Sequence, residues 1–267
     1  MVTAPWLNAH RLFINDSTTI FELIDTWWKD WGTLYVVVGV LYLPTIFTLQ
    51  YLWRNQNPIN IKYIRVLHNI FFCLFSALGA IELTPTMINT WKAADYSFHN
   101  TVCDGYFHYQ VESFWVFAFV ISKLFELLES LYFIVEKKPL SFLHWYHHFA
   151  TYTFSCHALL MYNPSALYFA WMNLIVHAVM YLYYTLATIT GKPPSWGIIV
   201  TIGQIIQMFI GVAVTYEVFN CRVLYDSINA WFGLLMYISY VFLFVRFFVL
   251  RYVLRGRRRS SKDTKKE

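Results

Sequence analysis

Charged residues are scarce in this chain. Only 13% of its 267 residues are Asp, Glu, Lys or Arg, whereas 58% are hydrophobic and 21% are aromatic. A soluble globular domain carries about a quarter charged residues. The composition therefore excludes an ordinary soluble domain and indicates an integral membrane protein.

Cysteine is also sparse. The four cysteines, Cys73, Cys103, Cys156 and Cys221, are too few and too scattered for a disulfide scaffold or a zinc module. The N-terminus lacks the charged-then-apolar order of a cleavable signal peptide. Internal repeats and spans broken by Gly or Pro, which many secondary transporters show, are not evident either.

Long apolar runs are what the chain has in abundance. Seven runs have the roughly 20 residues that a bilayer crossing needs, and they lie at 32–53, 64–84, 113–135, 141–162, 165–189, 197–219 and 229–251. Tryptophans and acidic residues mix in residues 1–31, which predicts an amphipathic segment at the membrane interface. We therefore expect an all-α integral membrane protein with a lumenal N-terminal segment (1–31), a domain of seven transmembrane helices (32–253) and a basic cytosolic tail (254–267).

The basic residues predict the orientation of these helices. On the side of the C-terminus lie 14 of the 20 Lys and Arg residues, namely Arg54, Lys62, Arg65, Lys137, Lys138, Lys192, Arg251 and seven residues of the tail. The positive-inside rule places that side in the cytosol, and seven crossings then place the N-terminus outside the cell or in a lumen. A basic tail can also bind nucleic acid, but beside membrane spans it is more simply a cytosolic flank, so we expect no nucleic-acid partner.

Two features agree with this orientation. Asn15-Asp16-Ser17 is a glycosylation sequon, which is usable only on the lumenal side, so Asn15 is a candidate glycosylation site. Cys103 and Cys221 fall on the same side, where a disulfide could persist.

The stretch from Ser141 to His148 concentrates histidine at the start of the fourth apolar run. His144, His147 and His148 share one face of a helix because they are three and four residues apart. Imidazole can act as nucleophile, general base or metal ligand near neutral pH. Ionisable groups within a membrane are costly and mark a functional site by default. We refer to these three residues as the histidine box.

Polar residues of other spans reach a similar depth. At about 1.5 Å per helical residue, the third, fifth and sixth spans place polar side chains in the same cytosolic half of the membrane as the histidine box. These residues are Lys123, Glu126, Glu129, Asn173, His177, Tyr181, Tyr184, Gln204 and Gln207. We expect one shared polar pocket with an apolar region above it. No role is assigned to His68, His157 or Glu217.

Structural roles could also explain some of these residues. Lys123 and Glu126 could be an ion pair that only ties helices together. The two glutamines could pack helices through hydrogen bonds, and His177 taken alone is typical of a hydrogen-bonded core histidine. The shared depth is what favours a functional site.

The histidines are compatible with two kinds of chemistry. Membrane di-iron desaturases and hydroxylases have similar boxes but need several of them, and His10, His68, His99 and His108 lie outside the polar layer. The remaining histidines are too few for two irons, although one zinc on His144, His148 and His177 remains open. Alternatively, one imidazole attacks a thioester to give an acyl-imidazole while a second polarises a carbonyl or holds an enolate.

Three motifs together resemble a known family. They are His144-x-x-His147-His148, His177-x-x-Met180-Tyr181-x-Tyr183-Tyr184 and Thr201-x-x-Gln204-x-x-Gln207. In this order they are similar to the ELO family of very-long-chain fatty acid elongases, the 3-ketoacyl-CoA synthases of the endoplasmic reticulum. The resemblance implies decarboxylative condensation of a long-chain acyl-CoA with malonyl-CoA, without a cofactor. It also implies that six of the seven helices form a barrel around an acyl-chain tunnel closed on the lumenal side, and that Cys103 pairs with Cys221.

The resemblance assigns roles to individual residues. It implies that His147 takes the acyl group, that His177 holds or activates the malonyl unit and that His144 and His148 support them. Lys123 and Glu126 match the family's Lys-x-x-Glu-x-x-Asp-Thr element, which here ends in Glu129-Ser130, one methylene longer in its carboxylate. The candidate substrate-binding residues are Glu129, Asn173, Tyr181, Tyr184, Gln204, Gln207, Lys192 and Arg251.

Further expectations follow from the resemblance. The residues around His144 and His177 are similar to the branch that acts on saturated and monounsaturated chains. The partners it implies are the ketoacyl reductase, dehydratase and enoyl reductase of the elongation cycle. Two alternatives stay open at this point: a metal-dependent lipid oxidase or hydroxylase, and a non-catalytic transporter or carrier of lipid or acyl-CoA. Release of carbon dioxide from malonyl-CoA distinguishes a condensing enzyme from a carrier.

Overall fold

The described part of the chain is helical throughout. A computed structural model describes residues 20–103, 110–161, 163, 165–221 and 227–254, and no strand occurs within them. The helices are α1 (Ile20–Leu52), α2 (Lys62–Ala93), α3 (Phe98–Cys103), α4 (Gln110–Glu126), α5 (Leu128–Val135), α6 (Phe142–Leu160), α7 (Ala166–Thr190), α8 (Gly197–Val218) and α9 (Ser227–Phe248). A 3₁₀ turn (Trp53–Asn55) follows α1, and a π-helical segment (Val249–Leu254) follows α9.

Six long helices form a closed ring. Going round it, α2 contacts α4, α4 contacts α6, α6 contacts α9, α9 contacts α8, α8 contacts α7, and α7 returns to α2. Helix α1 lies outside the ring, against α4, α5 and α6. We call the end of the ring at which α6 begins and α7 ends the proximal end, and the opposite end the distal end. The ring encloses the site described below.

The distribution of side chains is the reverse of that in a soluble protein. Large apolar residues such as Leu67, Phe71 and Phe242 are exposed on the outer surface of the helices. Lys123 and Glu126, in contrast, are only 3% and 2% exposed. Because a bilayer solvates apolar groups and excludes charges, this arrangement is what membrane insertion requires. The prediction of an all-α integral membrane protein is confirmed.

The number of membrane crossings stays a prediction. Within the described residues, five helical segments are long and apolar enough to cross a membrane: Glu22–Asn55, Lys62–Ala93, Ala166–Thr190, Gly197–Val218 and Ile228–Leu254. The other two long ring elements are less apolar or interrupted. Helix α4 has 17 residues and is separated from α5 by a turn at Leu127, and α6 has 19 residues that include the histidine box.

Three boundaries differ from the sequence prediction. Helix α1 already begins at Ile20, so no break marks residue 31. Helix α2 continues through Pro85 to Ala93, where a proline removes one backbone donor but neighbouring helices and hydroxyl side chains can supply hydrogen bonds. Here the Thr84 hydroxyl donates to the backbone carbonyl of Ala80 (2.6 Å), and Trp171 on α7 donates to Thr84 Oγ1 (2.9 Å). The third predicted span is divided into α4 and α5, and the Ser130 backbone N–H bonds to Leu127 in an i→i+3 contact (3.2 Å).

The two ends of the ring differ in charge and in covalent linkage. At the proximal end, Arg65 and Lys138 both pair with Glu136 (2.6 and 2.8 Å). At the distal end, a disulfide joins Cys103, the last residue of α3, to Cys221 after α8. Asn15, most of the predicted N-terminal segment and the basic tail lie outside the described residues.

Two glycines of α8 allow a test of how closely the ring is packed. A Cβ atom on Gly211 would overlap the ring of Tyr237 on α9, whereas a Cβ atom on Gly203 would meet nothing within 4 Å. The Tyr237 ring cannot easily give way, because it is stacked on Phe169 (centroids 5.3 Å apart).

We therefore expect Gly211→Ala to lower the free energy of unfolding in detergent by about 1–3 kcal/mol, the usual range for overpacking. Gly203→Ala is the matched control and should be neutral or stabilising by up to about 1 kcal/mol, because alanine favours helix. Equal unfolding free energies for the two variants would contradict the close approach of α8 and α9.

Candidate active site

The cap of α6 positions the histidine box. Ser141 has extended backbone angles (φ −72°, ψ 154°), and its Oγ accepts a hydrogen bond from the backbone N–H of His144 (3.3 Å). Such an N-cap starts a helix at the next residue, so the histidines occupy its first two turns. The rings of His144 and His148 lie 4.5 Å apart and those of His147 and His148 lie 5.4 Å apart (centroids).

A polar cavity of about 190 Å³ opens beside the box, inside the ring. We call it the catalytic chamber. All the predicted residues except Lys123, Lys192 and Arg251 line it, drawn from α4 to α8. These are Glu126, Glu129, His144, His147, His148, Asn173, His177, Tyr181, Tyr184, Gln204 and Gln207. The structure therefore brings the three sequence motifs to one place.

Lys123 lies in the protein interior between α4 and α7. Its ammonium donates to Glu126 Oε1 (2.7 Å) and to Asn173 Oδ1 (2.9 Å). His177 Nδ1 lies 3.8 Å from the same carboxylate oxygen. Among the described residues, Glu126 Oε2 has no hydrogen-bond partner, although it is buried and Glu126 lines the chamber. This oxygen is therefore available to a substrate or a water molecule.

Glu129 and Ser130, where the sequence departs from the family element, both contact the histidine box. Glu129 Oε1 accepts from the Tyr181 hydroxyl (2.6 Å), and Glu129 Oε2 lies 3.5 Å from His148 Nε2. Ser130 Oγ lies 3.1 Å from His144 Nε2 and 2.6 Å from the hydroxyl of Tyr42 on α1. The longer carboxylate and the smaller hydroxyl thus contact two of the three box histidines.

A narrow apolar cavity continues from the chamber towards the distal end. We call it the bore; its volume is about 40 Å³. His147, Asn173, Gln207 and Met208 line both the chamber and the bore. From His147 to Ala158 on α6, the bore extends roughly 16 Å at the helical rise. Lys123 lines the end of the bore that adjoins the chamber. The bore is therefore polar at that end and apolar further along.

Two predicted substrate-binding residues lie apart from the chamber. Lys192 follows the end of α7, and Arg251 lies in the π-helical segment after α9. Both are exposed at the proximal end, outside the lining of the catalytic chamber in the described part of the chain.

Sequence reasoning missed two residues at the box. Tyr240 on α9 donates its hydroxyl to the backbone carbonyl of His147 (3.2 Å), and its ring lies 5.2 Å from the imidazole (centroids). His68 Nε2 lies 3.4 Å from Glu129 Oε1. His68 could have been found, because it is six residues inside α2, at roughly 9 Å depth, which is close to the depth of His147.

Two of the three metal ligands that the sequence suggested, His144 and His148, come together, and the third does not. Glu129, His144 and His148 present ligand atoms within 4.8 Å of one another, whereas His177 lies beside Glu126. Three such donors could hold one ion. Glu129 and His144 are already hydrogen-bonded to Tyr181 and Ser130.

Comparisons with known proteins agree with this geometry. The model of the ELO family, described as the GNS1/SUR4 family, matches residues 26–260. The very long chain fatty acid elongase 6 of Homo sapiens is 32% identical over 93% of this chain and 94% of its own length. The elongase 6 of Drosophila melanogaster is 32% identical over 96% of this chain and 83% of its own length.

A third relative gives the same result. The very long chain fatty acid elongase 4 of Trypanosoma cruzi is 34% identical over 92% of this chain and 88% of its own length. The family model matches residues 26–260, the range in which the residues of the chamber lie. This chain belongs to the ELO family.

Proposed function

We propose that this protein catalyses the condensing step of fatty acid elongation, joining a long-chain acyl-CoA to malonyl-CoA with loss of carbon dioxide. One observation carries the proposal: His147 lies where the polar chamber meets the apolar bore. An acyl thioester has the same division, with a polar CoA on one side of its carbonyl and an apolar chain on the other. A chain in the bore therefore holds its thioester carbon beside this imidazole.

In the first step, a ring nitrogen of His147 attacks the thioester carbon. The carbon–nitrogen bond forms, the carbon–sulfur bond breaks, and the imidazole proton passes to the departing thiolate, which leaves as CoA thiol. The product is an acyl-imidazole, which divides one difficult transfer into two easier ones. Tyr240 supports the backbone of His147 through its hydroxyl.

In the second step, malonyl-CoA replaces the free CoA in the chamber. Loss of carbon dioxide leaves an electron pair on the α-carbon, and that carbon attacks the acyl carbon and releases His147. The enolate that develops needs a positioned donor or a positive charge. His177, which lines the chamber beside Glu126, supplies the donor, and the Lys123 ammonium at the adjoining end of the bore supplies the positive charge.

The proximal end suits the CoA group. Lys192 and Arg251 are exposed there, and Lys and Arg side chains bind phosphate through charge-assisted hydrogen bonds. We propose that these two residues contact CoA outside the chamber rather than the reacting carbons. Gln204, Gln207, Tyr181 and Tyr184 then contact the part of the substrate inside it.

The surroundings of the enzyme belong to the same proposal. The relatives are fatty acid elongases, and the basic proximal end favours a cytosolic mouth with the N-terminus in the lumen. We propose the endoplasmic reticulum membrane, no cofactor, and a ketoacyl reductase, a dehydratase and an enoyl reductase as the enzymes that process the product. We also propose saturated and monounsaturated chains as substrates.

Three aromatic rings lie in the distal half of the bore. Phe169 is stacked on Tyr237, and Phe154 meets Phe169 edge-on (centroids 5.7 Å apart). All three line the bore. The rings fit because Gly211 and Gly233 have no Cβ atom where Tyr237 and Phe154 pack. We propose that this aromatic plug limits the length of the acyl chain.

The role of His147 has a direct test. We expect His147→Ala to reduce malonyl-dependent condensation in membranes at least about 10³-fold, as loss of a nucleophile does. In the unaltered protein, incubation with acyl-CoA alone should add the mass of the acyl group to His147. His157→Ala, which changes a histidine bonded to Asn229 away from the chamber, is the matched control and should retain turnover.

Near-normal turnover of His147→Ala would contradict the proposal. A chelator that removes one equivalent of bound metal together with activity would favour a metal enzyme on Glu129, His144 and His148. Absence of carbon dioxide release from labelled malonyl-CoA would favour a carrier.

The aromatic plug predicts a change in product length. Tyr237→Leu should shift the products towards longer chains, because it removes the ring that stacks across the bore. Lipid profiling of a host that expresses each variant measures this shift. Tyr216→Ala removes a tyrosine of α8 that is 61% exposed and serves as the control, with an unchanged profile. An identical profile for Tyr237→Leu and the unaltered protein would show that the plug does not set chain length.

A further inference from the structure

A second polar cavity lies beside the catalytic chamber, between α2, α5 and α7. Its volume is about 260 Å³, and we call it the side chamber. It shares Glu129, His144 and Tyr184 with the catalytic chamber. Arg65, in the first turn of α2, and Thr188, in the last turn of α7, also line it, so it lies towards the proximal end.

A row of proton-carrying side chains leads from the side chamber to the histidine box. The hydroxyl of Tyr132, which lines the side chamber, lies 3.4 Å from His68 Nδ1. The other ring nitrogen, His68 Nε2, lies 3.4 Å from Glu129 Oε1, which is an ion-pair distance without hydrogen-bond geometry. The other oxygen of Glu129 lies 3.5 Å from His148 Nε2, and His148 adjoins His147. Each of these groups can both accept and donate a proton.

The condensation consumes one proton in each turnover. Acylation needs none from outside, because the imidazole proton of His147 leaves on the CoA thiol. In the second step the bond between the acyl carbon and His147 breaks as the new carbon–carbon bond forms. An imidazole that departs without a proton is an imidazolate, which is a poor leaving group, so one proton must reach the ring as this bond breaks. The carbon dioxide that leaves does not supply it.

The catalytic chamber is a poor route for this proton. During condensation, malonyl-CoA occupies the chamber and its proximal opening, and the acyl chain and the aromatic plug fill the bore. The side chamber reaches Glu129 and His144 from another direction. It is polar and large enough for several water molecules, each of which takes about 30 Å³ of liquid volume.

We propose that Tyr132, His68 and Glu129 carry this proton from the side chamber to His148 and His147. This role rests on the function proposed above. It makes His68 and Tyr132 proton-relay residues, which act on His147 through Glu129 and His148 and do not touch the substrate. This role also explains why His68 on α2 lies beside Glu129, the carboxylate that adjoins His148.

The alternative is that the contact between His68 and Glu129 has only a structural role and holds α2 against α5. The two roles differ in which half-reaction depends on His68. A structural tie supports the whole site, so its loss weakens acylation and condensation together. A proton relay serves only the step that consumes a proton, so its loss leaves acylation intact.

The experiment compares the two half-reactions in His68→Phe, which keeps an aromatic ring beside Phe72 and Tyr132 but removes both nitrogens. With acyl-CoA alone, the mass adduct on His147 should form as in the unaltered protein. With malonyl-CoA added, turnover should fall on the order of 10²-fold, the lower range for loss of positioned proton transfer. The adduct should then persist in the steady state. Tyr132→Phe, which removes one hydroxyl, should likewise slow condensation and leave acylation unchanged.

Chemical rescue provides a second readout. Added imidazole should raise the condensation rate of His68→Ala, because it can enter the space that the side chain leaves, and it should not affect His157→Ala. Wild-type turnover of His68→Phe, or an equal loss of both half-reactions, would overturn the relay. An unaltered protein that never forms the adduct would instead overturn the acyl-imidazole mechanism, and the relay with it.

Discussion

The buried charge of Lys123 is the constraint on which the site depends. An ammonium group in the membrane interior is tolerated only with partners, and here a carboxylate from its own helix and an amide from α7 provide them. These partners also line the chamber or the bore, and the hydrogen bond from Lys123 to Asn173 joins α4 to α7 at the active site. The groups that stabilise the charge of Lys123 are therefore the same groups that face the two cavities.

The ring of helices separates two environments that the reaction needs at once. The chamber holds polar groups for the thioester and for malonyl-CoA, and the bore holds apolar and aromatic groups for the acyl chain. His147 belongs to both. An imidazole at this boundary can reach the one carbon of an acyl thioester that lies between the two parts of the molecule. The side chamber, towards the proximal end, provides a second polar route to the site, and neither substrate occupies it.

Much of this arrangement could be predicted from the sequence. Helical spacing placed the three box histidines on one face, and the common depth of polar residues in different spans predicted their convergence, which the chamber lining now shows. These inferences work because helices have a fixed rise and because a membrane confines polar groups to few places. The motifs also identified the family correctly.

Other features depend on three-dimensional packing and were out of reach. The pairing of His68 with Glu129 requires knowing which face of α2 meets α5. The aromatic plug requires knowing that Gly211 faces Tyr237. That Lys192 and Arg251 lie outside the chamber was also not given by helical depth, because both follow the ends of their helices. In each case the neighbour comes from a distant part of the chain.

The most direct test of the account is the stability of the Lys123 charge cluster. Lys123→Met alone leaves Glu126 buried without its cation, and the free energy of unfolding in detergent should fall by about 3–5 kcal/mol. The double variant Lys123→Met with Glu126→Gln removes both charges and should recover most of that loss. A single variant as stable as the unaltered protein would show that the buried ion pair does not hold the site together.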